Sequence, residues 1–216
     1  MIACDVISTG SKGNAVLLNY WLLVDCGVPF KALAGAYPAL RLVLLTHIHG
    51  DHFNRTTLAA LAHERPTLRF GAGSWLVPEL ARLVPAENID VIEPGHVYDY
   101  GAVTVEPVRL WHDVPNCGYK LRFEDGERAF YATDTGSLQE ISAPGYDLYL
   151  VEANHDEEEI RKAVAAKKFA GEYTYERRAM ETHLSRQQAD EFIYRNIRRG
   201  GEYIYLHQHQ EARRTE

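Results

Sequence analysis

Cysteine is scarce in this chain of 216 residues, and the three present, Cys4, Cys26 and Cys117, are odd in number and show no paired metal spacing. That count argues against a disulfide framework and a cysteine-built metal site, and favours reduced thiols serving as small apolar fillers. Long apolar runs are missing too. The longest candidate, Ala15 to Val24, is broken by Asn19 and Tyr20 and falls short of the ~20 apolar residues a membrane helix needs. The start, Met1-Ile2-Ala3-Cys4-Asp5, has neither the charged opening nor the apolar stretch of a secretory signal, so a cytoplasmic protein is expected. Positive charge is not in excess: the formal net charge of −7 argues against a broadly basic surface. No repeat, low-complexity segment or linker is evident, and the length suits one sizeable core, so a single domain over residues 1–216 is expected.

Histidine, by contrast, is concentrated. Residues 46–52 read Thr-His-Ile-His-Gly-Asp-His, directly after the apolar run Leu42-Val43-Leu44-Leu45. Neutral imidazole nitrogen and ionised carboxylate oxygen are preferred donors for borderline divalent ions such as zinc and manganese. Four of them in one turn, His47, His49, Asp51 and His52, are enough to reach two ions. Arg41 to Thr46 reads as a buried strand and Thr56 to Ala62 as a helix, so the motif occupies a strand-to-helix loop where a scaffold holds ligands rigidly.

The rest of the chain is rich in short strands. Ile2 to Ile7, the hairpin Ala15 to Leu18 with Trp21 to Val24, Thr67 to Phe70, Ile89 to Ile92, Val97 to Tyr100, Val103 to Trp111, Tyr119 to Phe123, Arg128 to Thr133, Asp147 to Ala153 and Tyr203 to Leu206 carry the strand pattern. Asp125-Gly126 is a hairpin turn signal. Lys31 to Tyr37 is weakly helical, Ser74 is expected to cap a helix to about Leu83, and Glu157 to Ala170 and Ser185 to Arg199 are expected helices. Strands grouped early and in the middle, with helices between and after them, suggest layers of helix, sheet, sheet and helix.

Three strand ends carry further metal-competent residues: His112 after Val103 to Trp111, Asp134 after Arg128 to Thr133, and His183 just before a helix whose N-cap is Ser185. Taken with the dense motif they sort into two sites. His47, His49 and His112 form a three-imidazole site, Asp51, His52 and His183 form a second, and Asp134 is free to bridge them. Asp25 and Asp113 are candidates to orient the imidazoles from behind. Ser8, Ser11 and Asn14 lie in a loop that turn chemistry alone explains, or that hydrogen-bonds the metal-site loops or a substrate phosphate. His63, His96, His207 and His209 read as ordinary surface or packing residues, with some reserve for His207 because it ends an expected strand.

In these residues the chain resembles the metallo-β-lactamase-fold hydrolases, whose hallmark is a His-X-His-X-Asp-His loop followed by a distant His, an Asp and a final His. All seven positions find counterparts in order: His47, His49, Asp51, His52, His112, Asp134 and His183. The resemblance implies a four-layer αββα sandwich of the α/β class, with two mixed sheets flanked by helices and the metals at one edge of the paired sheets. A narrower likeness joins Ser8 to Asn14, His112-Asp113 with Gly118-Tyr119, Ala132 to Gly136, Glu152 to Asp156 and His183-Leu184-Ser185 to the WalJ/YycJ group and its phage relatives. That group is associated with DNA exonuclease activity. The segment between His155 and His183 is shorter than the group's usual form, and the long insertion of the β-CASP nucleases is absent.

The function this resemblance implies is that of a metal-dependent hydrolase, foremost a phosphodiesterase or nuclease acting on DNA, using two divalent ions (Zn2+ or Mn2+). Two ions about 3.5–4 Å apart lower the pKa of a bridging water and polarise a phosphoryl oxygen. Asp51 is expected to orient or deprotonate that water, and His155 to contact substrate or protonate the leaving group. Late basic residues, Arg161, Lys162, Lys167, Lys168, Arg177 and Arg178 before His183 and Arg186, Arg195, Arg198 and Arg199 after it, fit either a phosphate-binding stripe or a solvated helix face. The alternatives are hydrolysis of a small ester, lactone, thioester or β-lactam on the same fold, and a non-catalytic metal-stabilised binding module. Asp51 beside His52 disfavours a true β-lactamase, and retention of the full donor set counts against the non-catalytic module.

Overall fold

A computed structural model describes residues 1–170 and 175–208 of the chain. Its core arises from strands that are apolar on both faces. Successive side chains of a strand point to opposite sides, so a continuous apolar run must be covered twice. In β1 (Cys4–Ser8), β2 (Ala15–Leu18), β3 (Leu22–Val24), β4 (Leu42–Leu45), β5 (Arg69–Ala72) and β6 (Ile89–Val91), neighbours in sequence are neighbours in one six-stranded sheet. Leu22, Val24, Leu42 and Leu44 face the second sheet. Leu23, Val43 and Leu45 face the other way, onto Leu58 and Leu61 of α1 (Arg55–Glu64) and Leu80 of α2 (Val77–Leu80).

The second sheet is built from β7 (Tyr98–Asp99), β8 (Val103–Leu110), β9 (Asn116–Phe123), β10 (Arg128–Ala132), β11 (Leu148–Glu152) and β12 (Glu202–Leu206), in the order β12-β11-β10-β9-β8-β7. Val105, Tyr119, Leu121, Tyr131 and Leu150 meet the first sheet. Phe130, Tyr149 and Val151 are covered by Ala189, Phe192 and Ile193 of α5 (Arg186–Asn196), which completes the αββα layering. α3 (Glu157–Ala170) and α4 (Tyr175–Thr182) pack on each other. Both sheets are mixed: β3 to β6 run parallel, as do β10 to β12, and the remaining pairs are antiparallel. Parallel neighbours end on the same side, so the loops after β3, β4, β10, β11 and β12 gather at one edge.

Local signals account for most of the elements. Asn19 and Tyr20 both take positive φ, 47° and 66°, in the β2–β3 turn, and Gly126 takes 86° in the turn before β10. Asn54 caps α1 by accepting from the Thr57 N–H at 3.1 Å, and Ser185 caps α5 in a reciprocal box with Gln188. Some expectations fail. Ser74 caps no helix: α2 is a single turn whose N-cap is Leu76, with Pro78 in its first turn. Lys31 to Tyr37 forms two short 3-10 turns, Phe30–Leu33 and Tyr37–Ala39, and α5 stops at Asn196 rather than Arg199. The helix α4 was not anticipated. Among the described residues no helix is long and apolar enough to cross a membrane, and Cys4, Cys26 and Cys117 are unpaired.

Candidate metal centre

Five strand ends deliver the site. His47 and His49 follow β4, His112 follows β8, Asp134 follows β10, Glu152 ends β11 and His207 follows β12. Of the five non-glycine residues with positive φ among the described residues, three stand here: Asp25 at 60°, Asp134 at 56° and His207 at 48°. Such conformations cost roughly 1–3 kcal/mol each and persist where the surroundings over-determine them. Gly27 shows the crowding. A Cβ there would meet the Asp51 carbonyl oxygen at 1.7 Å, because the backbone beside Gly27 is stitched to the metal loop: Cys26 N–H donates to His52 O at 2.9 Å and Asn54 N–H to Cys26 O at 2.8 Å.

His47 Nε2 lies 3.2 Å from His49 Nδ1, which lies 3.3 Å from His112 Nε2. These three nitrogens converge on one point. Their far sides are fixed: His47 Nδ1 meets Thr46 Oγ1 at 2.9 Å, and His112 Nδ1 meets the Thr182 carbonyl at 3.1 Å. Burial holds His47 and His112 below the usual histidine range, so both are neutral. Neutral imidazole is the ligating form.

The second gathering differs from the expected one. Asp51 and His52 come together with His207, not with His183. The register explains it: β12 runs parallel to β11 with Leu206 opposite Glu152, so His207 emerges at the edge where Asp134 and Glu152 already stand. His207 is buried, its backbone N–H donates to Thr9 Oγ1 at 2.7 Å, and its Nε2 is buried without a hydrogen-bond partner, 3.7 Å from Asp51 Oδ2. A buried imidazole nitrogen left bare is costly, and facing Asp51 and His52 it suits a divalent ion. Asp134 also comes together with His47 and His52. It therefore stands between the two gatherings.

His183 forms a further metal-competent gathering with Asp134, Glu152 and His207, its Nδ1 on Glu152 Oε2 at 3.0 Å and its ring stacked 5.1 Å from that of His207. Glu152 is the hub that the sequence reading passed over. Fully buried, it accepts from the Asp134 and Thr135 N–H groups at 3.0 Å each and from the Leu184 N–H at 2.8 Å. The signal was present: a carboxylate that ends the otherwise apolar run Leu148-Tyr149-Leu150-Val151 must be satisfied inside. Burial alone would raise its pKa, but His183 and His207 outweigh that and hold it below the ordinary glutamate value. Burial would likewise lower His207, yet Asp51 and Glu152 push it up to about 10. In His52, burial is outweighed by Asp134 and Asp25, and in Asp134, burial is outweighed by His52, leaving one raised and the other lowered.

Asp25 sits behind the loop as expected. It accepts from His52 Nδ1 at 2.7 Å, Tyr131 OH at 3.0 Å and the Thr46 N–H at 3.0 Å. Asn14 bonds the metal loop too, with Nδ2 3.2 Å from Asp51 O. Among the described residues, neither Ser8 nor Ser11 adds a side-chain hydrogen bond to it. Asp113 is placed otherwise than expected: Oδ1 is 3.1 Å from His112 Nε2, the inward nitrogen, and Oδ2 pairs with Arg178. His155 joins none of the gatherings. It lines a separate cavity of about 380 Å³ with Asn154, Glu159 and Arg186. Four of the late cations form helix-face pairs, Arg161 with Glu157, Lys162 with Glu158, Arg177 with Glu181 and Arg195 with Glu191, which is the solvated-face arrangement, while Lys167, Arg178 and Arg198 pair with Glu176, Asp113 and Asp147. His209 lies outside the described residues.

A family model described as the beta-lactamase superfamily domain matches residues 20–208. The chain belongs to the beta-lactamase superfamily. Within that superfamily it is 25% identical, over 94% of this chain and 79% of the relative, to a protein of Streptococcus pneumoniae named exodeoxyribonuclease WalJ. Among solved structures it is similar to the metallo-beta-lactamase fold protein YhfI of Bacillus subtilis, with TM-score 0.76, 17% identity, and coverage of 97% of this chain and 87% of that one. It is also similar to the short form of human tRNase Z, with TM-score 0.70, 18% identity and coverage of 97% and 93%. A third neighbour is a diphosphatase of the PhnP family, with TM-score 0.67, 14% identity and coverage of 96% and 87%. These structural likenesses establish the metallo-β-lactamase fold.

Proposed function

We propose that the protein is a dinuclear metal-dependent phosphodiesterase, acting as a nuclease on DNA in the cytoplasm. The carrying observation is the convergence of two donor sets on Asp134, His47 with His49 and His112 on one side and Asp51 with His52 and His207 on the other. The phosphodiester as the bond attacked is supported by the likeness, along nearly the whole chain, to a protein named an exodeoxyribonuclease. His47, His49 and His112 would hold one ion and Asp51, His52 and His207 the other, with Asp134 available to either. When bound, zinc or manganese supplies Lewis acidity toward a phosphoryl oxygen and a water that ionises near neutral pH.

The chain's own groups do the rest. Asp51 is one-quarter exposed at its side chain, and His207 and His52 outweigh the effect of burial to keep it ionised. It is an acceptor at the site mouth, able to orient the attacking water. His183 is assigned the proton for the departing oxygen, in place of His155. Glu152 binds its Nδ1 and, against the effect of burial, raises its pKa, which favours the protonated imidazole and leaves Nε2 to donate. The test is a substrate panel. Reconstituted with zinc or manganese, the protein is expected to hydrolyse bis(p-nitrophenyl) phosphate and DNA and to leave a chromogenic β-lactam and a lactone intact. Turnover of the small esters without phosphodiester cleavage would overturn the proposal.

A further inference from the structure

The late cations are largely spent on pairs with neighbouring carboxylates, so the site needs another means of holding a nucleic-acid chain. One feature beside the centre remains unexplained. Trp111 directly precedes His112, and its side chain is 51% exposed. It is not loose: its N–H donates to Thr135 Oγ1 at 3.0 Å and its carbonyl accepts from the Gly136 N–H at 2.8 Å, which ties its backbone to the loop after Asp134. The guanidinium of Arg109 stands 5.4 Å from the indole centroid. Arg109 is exposed and makes no ion pair among the described residues.

Trp111 also separates two hollows. One, of about 590 Å³, is lined by Trp75, Trp111, His112 and Asp113, and so opens onto the metal centre. The other, of about 350 Å³, is lined by Arg109, Trp111 and Lys120 together with Glu106 and Glu140, and Lys120 is paired with Glu106. Both volumes fall in the range of roughly 300–1,000 Å³ typical of ligand pockets. A solvent-facing indole on an anchored backbone, beside a guanidinium, has what a single strand requires: an aromatic face on which any base stacks, and a cation for the adjoining phosphate. The interior bases of a duplex are covered by one another on both faces, so only an unpaired or terminal base presents a face to the indole.

Resting on the phosphodiesterase reading, we infer that Trp111 and Arg109 form a stacking shelf for a nucleobase next to the scissile phosphate, and that the substrate is nucleic acid held there with that base unpaired. The shelf acts on binding, so its loss falls mainly on KM. The experiment measures kcat/KM of the metal-loaded protein on end-labelled oligothymidylate, intact or with an abasic site at each of the first three positions from either end. Matching oligouridylates tell a DNA substrate from an RNA one. At one position the wild type is expected to favour the intact strand about ten-fold. Trp111→Ala should bring that preference close to one, and Trp111→Phe, which keeps a smaller ring and guards against misfolding of the alanine variant, should retain most of it. An unchanged preference in both variants overturns the shelf, as does a wild type that cleaves oligonucleotides but ignores every abasic site. A wild type that cleaves no oligonucleotide while hydrolysing small esters overturns the phosphodiesterase reading itself.

Discussion

Replacing Glu152 by glutamine should be far more damaging than its near-identical shape suggests. The carboxylate accepts from four N–H donors: Thr135 and Leu184 on Oε1, Asp134 and His183 Nδ1 on Oε2. An amide presents one oxygen and one NH2. Whichever way it turns, two donors lose their acceptor and face two more hydrogens in a dry pocket. Hydrogen bonds to a charged group contribute about 1.5–3 kcal/mol each. Some of that loss is offset, because Glu152 and Asp134 repel one another. The expected cost is therefore near the low end, roughly 3–4 kcal/mol. In a chain of this size 1 kcal/mol moves Tm by about 2–4 °C, which gives a fall of roughly 6–16 °C in the metal-free protein. Calorimetry at pH 7, with denaturant unfolding as a second probe, measures it. A fall under about 2 °C would show that the hub does not carry this energy and would refute the reasoning.

Metal binding should release protons, because His207, held near pKa 10, and the raised His52 are protonated in the metal-free protein and must be neutral to ligate. Calorimetric titration with zinc at pH 7, in buffers of different ionisation enthalpy, is expected to show release of about two protons and an affinity that rises with pH; no release would contradict the assignment. The same shifts govern metal-free stability. The raised His52 and His207 contribute fully below the unfolded value near 6.5 and lose that contribution as pH rises toward about 10, while the lowered Asp134 and Asp51 lose theirs as pH falls below the ordinary carboxylate value. Melting temperature should therefore peak on the acid side of neutrality and decline steadily to pH 10; a rise across that interval would contradict this. His207→Ala should reduce bound metal towards one ion per chain, whereas His183→Ala should keep the metal and lower kcat by about 10²–10⁴, both read by metal analysis alongside phosphodiester hydrolysis. Asp25→Asn should lower Tm and weaken metal affinity by about 10–100-fold, since it fixes His52 from behind; an unaltered affinity would remove it from that role.

Much of the fold and half of the site were legible in the chain because they were written in short-range patterns. Apolar runs such as Leu42 to Leu45 forecast strands buried on both faces, and Ser185 marked the start of its helix. His47, His49, Asp51 and His52 were conspicuous because they are adjacent. His207 was not. A single histidine after a strand says nothing by itself, and its place beside Asp51 and His52 depends on the parallel register of β11 and β12, a pairing between distant segments. Glu152 was overlooked for a related reason: its four partners come from loops that only the fold assembles. The helix α4 escaped because Tyr175 to Thr182 is only about two turns long and dominated by charge, so its amphipathic pattern is too brief to stand out.

The most direct test of a metal-dependent nuclease is the digestion of single-stranded DNA labelled at one end, followed over time with the protein loaded with zinc or manganese and again after chelation. Progressive shortening that requires the metal and is abolished in Asp134→Ala is the expected result. DNA left intact by protein that demonstrably holds two ions per chain would contradict it.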